Sequence, residues 1–229
     1  MRLLELRQAV LEANLELVRH GLVLHTFGNA SGLDRASGIV IIKPSGVAYD
    51  KLTPDSMVAT DLDGTVLEGA LRPSSDLATH LRLYRQFPAI GGVAHTHSEF
   101  ATSWAQAGRE IPCLGTTHAD YFPGPVPLTD ALAPEQIAGA YEDETGVAIC
   151  ALLARLEPFP PAVLVRGHGP FCWGRDAAEA AHTAAALESI AKMAFQTLRL
   201  AADAPPLATA LHQRHYRRKH GKTAYYGQR

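Results

Sequence analysis

The sequence predicts a single α/β domain, with a mixed or antiparallel sheet and helices outside it. Stretches with helical periodicity alternate with short apolar strands, and hairpin-type turns join several of these strands. No repeat, low-complexity tract or linker divides the chain. With 229 residues, 47% of them hydrophobic, the chain can form one substantial core, or at most two small ones.

The first half of the chain is predicted to contain most of the strands. Apolar residues recur every three or four positions over 3–20, which favours an amphipathic helix. A second helix is expected over 74–86, and Thr53 followed by Pro54 is typical of a helix start. The GNASG segment is expected to be a turn, and DLDG a hairpin turn. Strands are expected at 22–26, 39–43, 57–60, 65–68 and 90–97.

The second half is predicted to be mainly helical. Ser98 can cap a helix, residues 134–145 favour another, and residues 177–200 form a long alanine-rich helical pattern. The apolar run 162–166 is expected to be a short buried strand. Predicted helices therefore both precede and follow the predicted strands along the chain.

Composition and charge argue against several classes of protein. The formal net charge is −2, which gives no support for binding of nucleic acid or another polyanion. Charged residues interrupt the N-terminal apolar pattern, so we expect no signal peptide, and no stretch approaches the roughly 20 apolar residues of a membrane span. The three cysteines are scattered, which is typical of reduced thiols in a cytoplasmic protein.

Three histidines have the spacing of a metal site. His95 and His97 end the predicted strand 90–97, where positions i and i+2 face the same side. Taken alone, this pair fits two structural histidines equally well. His168 follows the predicted strand 162–166 between two glycines and supplies a third imidazole. Three imidazoles with an open coordination position are typical of catalytic zinc or a similar divalent ion.

Three segments rich in small residues and hydroxyls are candidate anion-binding loops. Backbone N–H groups at glycine and hydroxyl donors suit a phosphate group. Ordinary turns use the same residue types, so both interpretations stay open. The GxGxxG and GxxxxGK[ST] patterns are absent, so a nucleotide-binding loop is not supported. The segments are Gly28–Asn29, Ser45–Gly46 and Ser74–Ser75.

The motifs together resemble the L-ribulose-5-phosphate 4-epimerase branch of the class II (metal-dependent) aldolase superfamily. The resemblance covers nearly the whole chain, through TFGNASG, IIKPSG, RPSSDLATH, GGVAHTHS, GTTHADYF, VRGHGPFCWG and the terminal KHGKTAYYGQ. It implies a three-layer fold over 1–229, with a central, mainly antiparallel sheet flanked by helices. It also implies cyclic homotetramers with active sites at subunit interfaces, where the tail from about 203 to 229 and Asp120 come from a neighbouring subunit.

The resemblance also implies roles for particular residues. The metal-binding residues are Asp76, His95, His97 and His168. The phosphate-binding residues are Gly28, Asn29, Ser45, Gly46, Ser74 and Ser75. The catalytic acid/base residues are Asp120 and Tyr226, with His215 as a nearby residue of the tail.

The activity implied is interconversion of L-ribulose 5-phosphate and D-xylulose 5-phosphate by retro-aldol cleavage and re-addition, in pentose catabolism of the L-arabinose type. One divalent ion per subunit would be required, with Zn²⁺ expected and Mn²⁺ or Co²⁺ as alternatives.

Three other hypotheses remain. A class II sugar-phosphate aldolase would carry glutamate where this chain has Asp76. A non-catalytic module of the adducin type would lack the three histidines. A cupin barrel also uses an HxH pair, but the two long helices argue against it.

Overall fold

The computed structural model describes residues 3–220 and 224–226, and within them the chain forms seven strands and eight α-helices. The strands are β1 (Asn29–Asp34), β2 (Ile39–Ile42), β3 (Val58–Thr60), β4 (Val66–Glu68), β5 (Gly92–His95), β6 (Ala162–Val165) and β7 (Gly169–Gly174). The helices are α1 (Leu4–Arg19), α2 (Leu77–Gln86), α3 (Glu99–Gln106), α4 (Thr116–Ala119), α5 (Pro134–Ala138), α6 (Tyr141–Leu153), α7 (Ala177–Leu200) and α8 (Thr209–Lys219).

The strands form one sheet in the order β4-β3-β2-β1-β5-β7-β6, and every neighbouring pair is antiparallel. Alternate residues of β2 show how its two faces are used. Ile39 and Ile41 pack into a core with α1 and α7, whereas Val40 and Ile42 pack into a second core with α2 and α6. The sheet is therefore the middle of three layers, and the predicted fold class is confirmed.

Small residues on β1 allow α1 to approach the sheet closely. A Cβ atom on Gly32 would lie 3.0 Å from side-chain atoms of both Leu6 and Val10 on α1. Asn14 of α1 adds polar contacts to the same strand: its side-chain amide donates to Ala30 O at 3.1 Å and accepts from Ala30 N at 2.9 Å. The small residues of β1 therefore serve packing.

The predictions of a strand at 22–26 and of a turn at GNASG were wrong. The chain turns at Leu24–Phe27, where His25 has a φ of 53° and Phe27 N donates to Leu24 O. The GNASG segment, predicted to be a turn, instead supplies the start of β1 in the centre of the sheet. Turn-type residues form a strand here because Gly32 gives room to α1, while Asn29 and Ser31 make side-chain hydrogen bonds to Ser74 and His80.

Several further elements differ from prediction. Strand β5 ends at His95, so His97 lies beyond the strand. The helix predicted over 134–145 is two helices, because Gly139 adopts a non-helical conformation between α5 and α6. Strand β7 and helices α4 and α8 were not predicted. The other long helices and the strands of the DLDG hairpin lie close to their predicted ranges.

The two predicted helix caps have different outcomes. Thr53 accepts a hydrogen bond from Ser56 N, but the helix that it begins is a single 3-10 turn, Pro54–Ser56. Ser98 precedes α3 without a side-chain cap bond, and the carboxylate of Glu188 on α7 accepts from Phe100 N and Ala101 N instead. Helix α7 thus helps to fix the segment that follows the HxH pair.

Residues 221–223 and 227–229 of the predicted tail lie outside the described residues. Within the described part of the chain, no helix combines the length and apolar character required to cross a membrane.

Candidate metal centre and adjoining loops

The candidate metal centre lies at one end of the sheet. Asn29, His95 and Phe171 occupy adjacent positions across three neighbouring strands, since Asn29 pairs with His95 and His95 with Phe171. His97 follows the end of β5, and His168 lies in the tight turn between β6 and β7. The antiparallel order of the sheet therefore brings together histidines that are more than 70 positions apart in sequence.

The three histidines converge on one point. One ring nitrogen from each of His95, His97 and His168 lies within 4.8 Å of the others. The Nε2 atoms of His95 and His97 are 3.1 Å apart, and the ring centroids are separated by 4.7 to 5.0 Å. His95 is buried and His97 is exposed. The cluster therefore adjoins the protein interior on one side and is open to solvent on the other.

The hydrogen bonds of His95 leave Nε2 available to an ion. Its Nδ1–H donates to the carbonyl oxygen of Pro170 at 2.9 Å, and Phe171 stacks on the ring at 4.1 Å. A carbonyl can only accept, so this contact assigns the proton to Nδ1 and directs the Nε2 lone pair toward the cluster. Outer hydrogen bonds of this kind are usual for metal-binding histidines.

The protonation states also suit a metal. Burial, assisted by the neighbouring His95 and His97, lowers the pKa of His168 to about 4. His97 is exposed as a whole residue, but partial removal of its ring from water, followed by the effect of His95, also lowers its pKa. Both rings are therefore neutral at pH 7, which is the form that binds metal ions. The donor atoms present fit a divalent transition metal with at least one further coordination position.

Asp76 lies next to this cluster. It is not one of the residues whose ligand atoms all lie within 4.8 Å of one another, which are the three histidines. It precedes α2, and one carboxylate oxygen accepts from Asn29 Nδ2 at 2.6 Å. Burial raises the pKa of Asp76, but the neighbouring His95 and His80 and the Asn29 hydrogen bond outweigh this and lower it. Asp76 is thus an anion beside the histidines, and its ligation of a metal stays a prediction.

The three predicted phosphate loops come together beside Asn29. The Asn29 amide donates to Ser74 Oγ at 3.1 Å, Ser74 N donates to Lys43 O at 3.0 Å, and Ser45 N donates to Arg72 O at 2.9 Å. Gly28 continues the same surface with a φ of 83°. Ser45, Gly46 and Ser75 are exposed. The structure thus groups these six residues, and their binding of phosphate stays a prediction.

Lys43 is a buried cation that the sequence analysis did not assign to the site. Its ammonium group donates to Thr26 O at 3.2 Å and lies 4.8 Å from the centre of the Tyr49 ring. Burial lowers its pKa, and the charge of Asp76 partly offsets that effect. One clue is visible in the sequence, a lysine directly after the apolar run of β2. Lys43 places positive charge beneath the three loops.

Asp120 is bound by the tail of its own chain. Its carboxylate accepts two hydrogen bonds from Arg218, at 2.9 and 2.5 Å, and one from His215 Nδ1 at 3.1 Å. His220 Nε2 also contacts Asp120 O at 2.9 Å. Burial raises the pKa of Asp120, but the hydrogen bonds from Arg218 and His215 outweigh it and lower the pKa. Asp120 is therefore ionised at pH 7.

Tyr226 joins the same cluster. The guanidinium of Arg218 lies 4.6 Å, and the ammonium of Lys219 4.8 Å, from the centre of its ring. Asp120 and Tyr226 both line a groove of about 780 Å³ between the tail and the outer part of the sheet. That groove is not lined by His95, His97 or His168. The predicted acid/base residues thus share Arg218 and one groove, but within one chain they belong to a different surface from the histidines.

Tyr141 is a second residue near the centre that the sequence analysis missed. It is half-buried, and its hydroxyl lies 3.1 Å from His168 Nδ1. The predicted helix 134–145 placed it in mid-helix, where a single tyrosine has no distinguishing pattern. Its actual position, at the first turn of α6, depends on the break at Gly139.

The fold and the histidine cluster together define the class of protein. Residues 8–195 match the family described as the Class II Aldolase and Adducin N-terminal domain, and the chain belongs to this family. The class II aldolase family is metal-dependent, in agreement with the histidine cluster. The predicted family membership is confirmed.

Curated relatives match over almost the full length. The chain is 52% identical over 226 residues to L-ribulose-5-phosphate 4-epimerase UlaF of Salmonella paratyphi C, covering 98% of this chain and 99% of the relative. It is 51% identical, with the same coverage, to the protein of the same name from Salmonella typhi.

Solved structures share the fold. An L-fuculose 1-phosphate aldolase superposes with a TM-score of 0.78 at 21% identity, over 93% of this chain and 95% of that one. The L-fuculose-1-phosphate aldolase of Thermus thermophilus gives a TM-score of 0.68 at 24% identity, over 88% and 98% of the two chains. At these identities, the likeness supports the three-layer fold alone.

Proposed function

We propose that this protein is an L-ribulose-5-phosphate 4-epimerase, which interconverts L-ribulose 5-phosphate and D-xylulose 5-phosphate. The observation that carries the proposal is the convergence of three imidazoles beside loops rich in hydroxyl and amide donors. The full-length relatives that bear this name support the choice of substrate.

His95, His97 and His168 hold one divalent ion, with Zn²⁺ as the expected metal and Mn²⁺ or Co²⁺ as alternatives. Asp76 is the anionic residue at this ion. The ion supplies Lewis-acid stabilisation of negative charge on the oxygens of the substrate when the C3–C4 bond breaks. His95 is held for this role by Pro170 O and Phe171.

The phosphate group binds at the three grouped loops. Asn29 donates its side-chain amide to Ser74 and Asp76, which positions the loops. The donors for a phosphate are the hydroxyls of Ser45, Ser74 and Ser75 and backbone N–H groups of the glycine-containing segments Gly28–Asn29 and Ser45–Gly46. Lys43 adds positive charge from below. These residues retain the two-carbon aldehyde phosphate while it turns to present its other face, which inverts C4.

Two groups transfer protons on opposite faces of the substrate. Asp120 and Tyr226 are proposed for these roles, with His215 beside Asp120. Their groove is separate from the histidines of the same chain, which supports an active site built between subunits of a cyclic homotetramer. The single domain 1–229 then contributes its metal centre to one site and its tail, from about 203, to the next.

Turnover of L-ribulose 5-phosphate by metal-loaded and chelated protein tests the proposal. We expect D-xylulose 5-phosphate to form with the metal-loaded protein and to fall to background after chelation. Release of free glycolaldehyde phosphate would instead indicate an aldolase, and absence of turnover in both states would indicate a binding module. Re-addition of Zn²⁺, Mn²⁺ or Co²⁺ separately then ranks the metals.

A further inference from the structure

The hydroxyl of Tyr141 contacts one of the two ring nitrogens of His168. The distance from Tyr141 Oη to His168 Nδ1 is 3.1 Å, and the two rings are tilted by 34° at 5.8 Å. With Nδ1 engaged in this way, Nε2 is the nitrogen left for an ion. His95 is likewise contacted at Nδ1, in its case by the carbonyl oxygen of Pro170 at 2.9 Å.

The position of Tyr141 is fixed by the packing of α6 against α2. Arg82 on α2 forms two hydrogen bonds of 2.6 Å with Asp143 on α6, two residues after Tyr141. Thr79 on α2 donates its hydroxyl to Glu142 O. The N-terminal turn of α6 is therefore bound to α2 by hydrogen bonds to both its side chains and its backbone.

Gly146 allows the two helices to approach each other. A Cβ atom at this position would lie 2.8 Å from Arg82 Cβ and 3.2 Å from Thr79 Cα. Helix α2 also begins directly after Asp76. One helix pair thus places both the carboxylate beside the histidines and the hydroxyl at His168.

We propose that Tyr141 is a positioning residue for the metal centre, which keeps His168 in the tautomer and orientation that bind the ion. This inference rests on the proposed function of the three histidines as metal ligands. In the proposed arrangement the Tyr141 oxygen accepts from Nδ1–H of His168, which leaves the Nε2 lone pair for the ion. A phenol can also donate to Nδ1, and the tautomer measurement below distinguishes the two directions. Without the hydroxyl, His168 is free to protonate Nε2 and to rotate.

Tyr141→Phe removes only the oxygen and tests the proposal. We expect the affinity for Co²⁺ and Zn²⁺, measured by competition with a chromophoric chelator, to fall by about 10–100-fold. The absorption bands of bound Co²⁺ should change as well, because they report the ligand geometry. Tyr84→Phe is the matched control: its hydroxyl is buried and bonded to Ser31 at 2.7 Å, so affinity should stay within about twofold of the parent value.

A second measurement follows the tautomer directly in the metal-free protein. Nitrogen NMR shifts should show His168 protonated on Nδ1 in the parent and a mixture of tautomers in Tyr141→Phe. Unchanged metal affinity and an unchanged tautomer in Tyr141→Phe would overturn the inference while leaving the three-histidine centre intact. A changed KM at unchanged metal affinity would also overturn it, since the hydroxyl would then serve the substrate. If the parent itself bound no metal, the proposed function would fail together with the inference.

Discussion

Burial sets the charge of the histidines in this protein. It lowers the pKa of His168 to about 4, that of His118 to about 4 and that of His80 to about 3. At neutral pH all three rings are uncharged, but only His168 belongs to the three-histidine cluster of the candidate metal centre. His80 and His118 lie outside that cluster and have structural roles. His80 forms a hydrogen bond with Ser31, and His118 forms one with the carbonyl of Gly124.

His118 should make the fold sensitive to acid. The unfolded chain has an ordinary histidine pKa near 6.5, whereas burial lowers the folded value to about 4. Between these values the unfolded state binds more protons, so stability should fall as pH is lowered, by up to ~1.4 kcal/mol per pH unit for one proton. His118→Gln, which keeps a donor for Gly124 O, should reduce that slope.

Denaturant unfolding of the metal-free protein from pH 7 to pH 4 measures this slope. A variant whose stability changed with pH as steeply as the parent would show that His118 carries no part of the acid sensitivity.

The two proposed proton-transfer residues should affect turnover and leave the metal in place. We expect Asp120→Asn and Tyr226→Phe each to lower kcat by about 100-fold or more. Metal content, measured by elemental analysis, should remain at the parent level. Tyr225→Phe is the matched control, because Tyr225 is an exposed neighbour that this mechanism does not use. Full activity in both Asp120→Asn and Tyr226→Phe would remove these residues from the mechanism.

At the scale of elements, a close backbone contact between β5 and α7 fixes the strand that leads to the candidate metal centre. Strand β5 leads to His95, and its first residue, Gly92, abuts the start of α7. A Cβ atom on Gly92 would lie 2.1 Å from Asp176 O and 2.4 Å from Ala177 N. Neither contact can be relieved by a side-chain rotation, because both partners are backbone atoms.

Gly92→Ala should therefore separate β5 from α7. We expect a loss of at least about 4 kcal/mol in the free energy of unfolding, or failure to fold, since this overlap is worse than ordinary overpacking. Gly124→Ala is the matched control: nothing lies within 4 Å of its added Cβ, and its φ is not positive. Denaturant unfolding compares the two. Equal stability of both variants would contradict the close contact.

At the scale of the whole molecule, each chain carries two halves of the proposed chemistry on separate surfaces. The histidines and the phosphate loops occupy one end of the sheet, whereas Asp120 and Tyr226 line the groove beneath the tail. If neighbouring subunits join these halves, two inactive variants should complement each other. His97→Asn lacks a proposed metal ligand, and Asp120→Asn lacks a proposed proton-transfer group.

Mixed assembly of His97→Asn with Asp120→Asn should restore activity. Random mixing in equal amounts should leave about a quarter of the interface sites with both parts intact. Activity after co-refolding or co-expression, relative to the parent, measures the recovery. A mixture as inactive as its components, in particles shown by mass spectrometry to contain both chains, would contradict the shared site.

The sequence predicted the layers of the fold because its helices have strong periodicity and its strands are apolar. It failed at GNASG, since the small residues of a central strand have the composition of a turn. The histidine pair and His168 were recognisable from the sequence. Tyr141 and Lys43 were not, because their positions depend on a helix break at Gly139 and on the burial of one strand end.

The β6–β7 turn has a consequence for how this sequence can change over evolution. His168 supplies one imidazole, and Pro170, two positions later, supplies the carbonyl that holds His95. Gly169 between them leaves no room for a side chain, since a Cβ would lie 2.8 Å from Thr96 O. Most surface turns accept an inserted residue, but an insertion here would displace two imidazoles at once. The tripeptide His168-Gly169-Pro170 should therefore keep a fixed length in related proteins, even where the sequences of the flanking strands diverge.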